Sequence, residues 1–243
     1  MAIVTLDDPE RRNAISLAMA EELVETFAGL ESDGGVGAVV VTGTPPAFSA
    51  GADLADLQDA DRERLRRIYA GFLAVARCPF PTVAAVNGAA VGAGLNLALA
   101  CDVRIAARSA RFDSRFLDLG LHPGGGHTWM LERLLGPQGA AAVVLLGEPL
   151  DGEEAARRGL AWRVVADDEV VREAVRLASR PAGAPSGMVR RLKETLRGMA
   201  AVSDHPTAVE RELEPQLWST GQPEFRERLA ALQARIARGR RSG

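Results

Sequence analysis

Two short runs carry the clearest chemical potential in this chain: Phe48-Ser-Ala-Gly-Ala-Asp-Leu54 and Asn87-Gly-Ala-Ala-Val-Gly-Ala-Gly94. Each follows an apolar, strand-like run, and the second opens into a helix-like one. Small side chains let a ligand approach peptide N–H groups, and a helix N-terminus adds partial positive charge. Two such N–H groups from separate loops can converge on one oxygen, which makes an oxyanion hole. Other chemistries fit these runs less well. Gly92-Ala-Gly94 partly imitates a dinucleotide-binding GxGxxG, but position 97 is Leu and no acidic partner is evident. Ser49 lies in FSAGA rather than G-x-S-x-G, with no histidine paired to it in sequence. Three histidines without clustered Cys, Asp or Glu spacing argue against a metal site.

The elements that position these runs follow from periodicity. Ile3 to Leu6, Val36 to Thr42, Val83 to Val86, Val103 to Ala107 and Ala161 to Val165 read as strands. Apolar residues recur at helical spacing from Ser16 to Leu30 and from Leu65 to Ala76, the first ended by Gly34-Gly35 and the second by Pro79 and Pro81. A helix runs to Ala100, another from Thr128 to Leu135, and Pro137 begins the next, which ends at Gly147. Asp151 caps a short helix ending at Gly159. Strands alternating with helices predict an α/β core over residues 1–181. Residues 182–243 show only helical patterns, around 187–199, 207–219 and 224–238.

The chain has 243 residues and a net charge of −3, with 47% apolar and 25% charged residues, which excludes wholesale disorder and gives no basic field for a nucleic acid. Its 42 Ala and 25 Gly against 11 aromatics require close backbone packing. Cys78 and Cys101 are too few for a disulfide framework, and no secretory leader pattern opens the chain, so a cytoplasmic location is expected. Val83 to Cys101 is apolar, but its Ala/Gly content, its lack of an aromatic belt and the charges that follow at once predict a buried strand–loop–helix rather than a membrane span. The tail carries Arg226, Arg228, Arg235, Arg238, Arg240 and Arg241 against Glu227, a pattern that reads first as a solvated end.

Taken in order, several segments resemble the crotonase superfamily, the enoyl-CoA hydratase/isomerase family. They are Pro9-Glu-Arg-Arg-Asn13-Ala-Ile, Val39-Val-Val-Thr-Gly43, Ala47-Phe-Ser-Ala-Gly-Ala-Asp-Leu54 and Val83-Ala-Ala-Val-Asn-Gly-Ala-Ala-Val-Gly-Ala-Gly94. Cys101-Asp-Val-Arg104, Arg111-Phe112, Leu119-Gly-Leu-His-Pro-Gly124 and the stretch from Gly147 to Leu160 continue the series. The resemblance implies a spiral of ββα units with a C-terminal helical segment used in homotrimers or dimers of trimers. It implies an acyl-CoA thioester as substrate or ligand, with no permanently bound cofactor and no metal. Its thioester oxygen would accept hydrogen bonds from the backbone N–H groups of Ala52 and Ala93. Ala50, Asp53 and Leu54 match positions that meet the adenine end of CoA. Arg11 lies where a cation meets the nucleotide phosphates, and a plain surface arginine is the competing reading. Ala55 stands where the family often has a cation.

Two departures bear on mechanism. The family's proton-shuttling glutamates fall at Asn96 and Phe116, and neither side chain titrates usefully. The candidate replacements are Asp118, His122 and His127, each set against an ordinary capping, exposed or packed role. Asp113 reads as a turn residue. Phe116, Trp129 and Gly124 read as pocket or core residues. Two functions are expected from this pattern: an enzyme working through an oxyanion-stabilised enolate of an acyl- or enoyl-CoA, or a non-catalytic acyl-CoA-binding homologue. A purely structural role is the third reading.

Overall fold

The computed structural model describes residues 1–58 and 60–239, so Arg240 and Arg241 of the basic tail lie outside the described residues. It divides into two compact units, residues 1–183 and 184–243.

Among the described residues, nine strands build the first unit: β1 (Ala2–Leu6), β2 (Val39–Gly43), β3 (Ala47–Ser49), β4 (Thr82–Val86), β5 (Ala89–Val91), β6 (Val103–Ala107), β7 (Arg111–Asp113), β8 (Leu150–Asp151) and β9 (Arg163–Val165). They form two sheets, ordered β1-β2-β4-β6-β9 and β3-β5-β7-β8. The first is parallel throughout, and in the second only the β7–β8 pair is antiparallel. The pairs β2/β3, β4/β5 and β6/β7 each place one strand in each sheet and step along both in the same direction, which is the expected spiral of ββα turns.

The first sheet is visible in sequence because its strands are continuous apolar runs buried on both faces. Val39–Val41, Ala84–Val86 and Ile105–Ala107 are wholly buried. The second sheet is not, because strands of two or three residues show no period. The Gly-rich loop expected before Ala93 therefore contains β5, and the loop after Ser49 holds a short helix, α2 (Leu54–Leu57), once α1 (Leu17–Ser32) has passed. Ser16 caps α1, its hydroxyl accepting from Met19 N–H. α3 (Arg62–Arg77) packs on α1, and α4 (Ala93–Ala100) packs on α3. α5 (His127–Leu145) is two helical segments separated at Gly136, whose φ of 68° and ψ of 175° break the helix before Pro137. α6 (Gly152–Arg157) is capped by Asp151. α7 (Val170–Ala182) packs on β2, β4 and β6, an element that the sequence reading does not assign.

The second unit contains α8 (Ser186–Met199), α9 (His205–Thr220) and α10 (Pro223–Gly239), with α8 packed on α9. Among the described residues no helix is long and apolar enough to cross a membrane.

Candidate active site

The two small-residue loops meet because other residues tie them down. Asn13, fully buried, donates through Nδ2 to the carbonyls of Thr44 and Ala47, 2.8 Å each, and so fixes the start of β3. Ser49 is also wholly buried, and its hydroxyl donates to the Asn13 carbonyl at 2.8 Å, so it is a structural strut. Ile15 N–H donates to Gly51 O at 2.7 Å, and Asp53 N–H donates to Ile15 O at 3.0 Å. That bridge engages the groups on either side of Ala52 and leaves the Ala52 N–H without an acceptor among the described residues. On the other loop, Gly92 N–H donates to Asp113 O at 2.9 Å, and Gly92, at φ 49°, turns the chain from β5 into α4. The Ala93 N–H is the first of that helix and likewise has no acceptor among the described residues.

Two glycines allow this approach. A Cβ on Gly94 would stand 2.5 Å from the Ser49 carbonyl oxygen, and one on Gly51 would stand 2.8 Å from that of Val91. Gly51 also has φ 104°, which side-chain-bearing residues avoid. The result is a cavity of about 510 Å³ with Ala52 and Ala93 in its wall.

Beyond the two loops, part of the wall is polar. Asn96, 2% exposed on α4, donates through Nδ2 to the Gly124 carbonyl at 3.0 Å, which turns its Oδ1 toward His127. His127, 1% exposed at the start of α5, donates from Nδ1 to that oxygen at 2.6 Å. Its Nε2 is then a bare acceptor, and the Ser114 hydroxyl donates to it at 2.9 Å. Burial pushes the His127 pKa down to about 4, so the imidazole is neutral at pH 7. The Phe116 ring meets the imidazole edge-on, with ring centroids 4.9 Å apart.

Of the residues singled out in sequence, Arg11, Ala50, Ala52, Asp53, Leu54, Ala93, Asn96, Phe116, His122 and Gly124 all line the cavity. Arg11 already pairs with Asp8 at 2.7 Å and Asp53 at 3.1 Å. His122 is exposed at the cavity wall, with Nδ1 donating to the Pro123 carbonyl at 2.7 Å. Two candidates are not cavity groups. Asp118 is absent from the lining; its side chain is 70% exposed and lies 3.7 Å from Arg115, because the short 3-10 turn at Leu117–Leu119 keeps it on the outer side. His127 sits behind the wall, against the lining residues Asn96, Ser114 and Phe116. Trp129 is 56% exposed under the Arg133 guanidinium rather than in the pocket. Asp113 ends β7 as a buried anchor for Arg111 and Arg115.

Sequence reasoning misses Ser114 and Tyr69. Tyr69 reads in sequence only as an apolar helix position, yet it lines the cavity with its hydroxyl beside Gly124, and burial raises its pKa. Nothing local marks either residue; the histidine that receives the Ser114 hydroxyl lies 13 positions along the chain.

Known proteins resemble this chain along most of its length. A family model described as enoyl-CoA hydratase/isomerase matches residues 1–232. A probable enoyl-CoA hydratase of Mycobacterium tuberculosis is 52% identical over 244 residues, covering 97% of this chain and 94% of its own length. The 1,2-epoxyphenylacetyl-CoA isomerase of Escherichia coli is 34% identical, covering 96% and 91%. The crystal structure of an enoyl-CoA hydratase from Bacillus anthracis superposes with a TM-score of 0.89 at 30% identity, covering 96% of this chain and 92% of that one.

Proposed function

The chain belongs to the enoyl-CoA hydratase/isomerase family, and on that footing we propose that its cavity takes an acyl- or enoyl-CoA thioester whose carbonyl oxygen accepts from the N–H groups of Ala52 and Ala93. The observation that carries this reading is that both N–H groups belong to the wall of one cavity and neither is used by the fold. Removing a proton from the carbon next to a thioester carbonyl pushes negative charge onto that oxygen. Two fixed N–H donors stabilise the enolate where it forms, and each such donor is worth about 10²–10³ in rate in enzymes where one has been removed.

The proton itself needs a base. Asn96 and Phe116 occupy the positions of the family's glutamate pair, and neither supplies one. His122 is the candidate on the cavity wall: with Nδ1–H donating to the Pro123 carbonyl, Nε2 is the ring nitrogen left to take a proton. We assign His122 the proton transfer at the α-carbon, with Ala50, Asp53 and Leu54 along the nucleotide end. Arg11 reaches a phosphate by exchanging part of its pairing with Asp8 and Asp53. No permanently bound cofactor or metal enters this scheme. The exposed Leu192, Leu196, Leu213 and Leu217 of the helical unit support self-association, as a homotrimer or dimer of trimers in the cytoplasm.

The second reading, acyl-CoA binding without turnover, is favoured by the same Asn96 and Phe116. One experiment separates them: binding and turnover measured on the same panel of CoA thioesters. Catalysis predicts loss or shift of the enoyl-thioester absorbance with at least one member, abolished by His122→Gln while binding persists. Tight binding with no change across the panel identifies a binding protein.

A further inference from the structure

Resting on that reading of the oxyanion hole, we propose that Ser114, His127 and Asn96 form a nucleophile–base–orienter chain that gives this cavity a second activity: hydrolysis of acyl-CoA thioesters through an acyl-serine. Three observations carry it. The hydroxyl of Ser114 donates to His127 Nε2 at 2.9 Å, and His127 Nδ1–H donates to Asn96 Oδ1 at 2.6 Å, so the imidazole is in the tautomer that can take the serine proton. The Asn96 amide is itself oriented by the Gly124 carbonyl, at 3.0 Å, which settles which end of it faces the histidine. Ser114 and Asn96 both line the cavity that also holds the Ala52 and Ala93 N–H groups. A nucleophile, an orienting group and two oxyanion donors thus line one cavity, with the base hydrogen-bonded behind the nucleophile.

The chemistry balances with water alone. Ser114 Oγ attacks the thioester carbonyl carbon and its proton passes to His127 Nε2, while the carbonyl oxygen becomes an oxyanion against the two N–H groups. The tetrahedral species collapses by breaking the C–S bond, and the CoA sulfur takes the proton from Nε2. Water then attacks the serine ester and delivers its proton to Nε2. Breaking the C–Oγ bond returns that proton to Ser114 and releases the carboxylic acid. The substrate class follows from the base. An imidazole buried against the edge of Phe116 and oriented by a neutral amide is a weak proton carrier, so it suits a leaving group that needs little help. A thiol, with an ordinary pKa of about 8.5, is such a group, and an amine is not.

The test uses the whole chain and a saturated acyl-CoA, hexanoyl-CoA, which offers no double bond to hydrate or shift. Free thiol release is followed with a thiol-reactive dye, and binding is measured separately by calorimetry. The proposal expects steady thiol release by the wild type and a loss of at least about 10³-fold in Ser114→Ala with binding retained. His127→Gln, which keeps a hydrogen-bonding side chain but cannot carry the proton, is expected to lose as much, so either variant that folds decides the matter. Binding without thiol release by the wild type, or unchanged release by a folded Ser114→Ala, overturns the acyl-serine and leaves the oxyanion-hole reading standing. Absence of binding overturns both.

Discussion

Asn96 Oδ1 and His127 Nδ1 stand 2.6 Å apart, joining α4 to α5 across the back of the cavity. Asn96 Oδ1 is a fixed, neutral acceptor for the imidazole N–H. An Asn96→Asp variant would set a carboxylate against the imidazole N–H and against the Gly124 carbonyl. The His127 pKa is expected to rise from about 4 by one unit or more, read from the pH dependence of its ring NMR signals. An unmoved titration would show that burial, not the neutral amide partner, controls the ring.

The same depressed pKa ties stability to pH. An unfolded histidine titrates near 6.5 and the folded one at about 4, so protons bind the unfolded chain first as pH falls between those values. This group leaves stability untouched above about pH 7, lowers it progressively below 6.5, and levels off below 4, for a loss of about 3 kcal/mol across the window. Urea unfolding at pH 7 and at about pH 4.5 should show most of that loss in the wild type, and His127→Gln should be flatter over the same range.

Gly94 is where the second loop leans on the first. Adding a methyl group there sets it against the Ser49 carbonyl and hydroxyl, contacts of 2.5 and 2.7 Å that this fully buried partner cannot relieve. Gly94→Ala is expected to cost about 1–3 kcal/mol of stability and to weaken thioester binding by spreading the Ala52 and Ala93 donors. A variant with wild-type affinity and a wild-type melting temperature would mean the loops do not hold each other.

Asp118 provides a negative control. Its carboxylate is solvent-exposed beside Arg115, so Asp118→Asn should change stability by no more than about 0.5 kcal/mol and leave turnover of any thioester within about twofold. A collapse of turnover would require the turn at Leu117–Leu119 to invert when substrate binds.

Arg11 tests the proposed nucleotide end. Its exposed pairs with Asp8 and Asp53 add little to folding, so Arg11→Ala should fold normally. Acyl-CoA binding should weaken, and its dependence on salt should flatten, when affinities are compared at low and high ionic strength.

The order of residues is enough to establish the central parallel sheet, most of its helices, and the two small-residue loops that end in Ala52 and Ala93. The resemblance adds the expectation that Asn96 and Phe116 stand where the family has carboxylates. Those features are local: a continuous apolar run, a helical spacing or a row of glycines is readable within a dozen residues. The remainder comes into being on folding. Strands as short as β5 and β7 have no pattern of their own and exist because they pair, Val91 against Asp113. That pairing sets Ser114 just beyond Gly92, while Asn96 and His127 are delivered by α4 and α5, 31 positions apart. Which way Asp118 points and which tautomer His127 holds depend on partners distant in the chain or on a single turn of backbone. Hydrogen-bond geometry at that scale leaves no periodic trace in the order of residues, and it is what separates the cavity wall of this protein from the carboxylate pair its family leads one to expect.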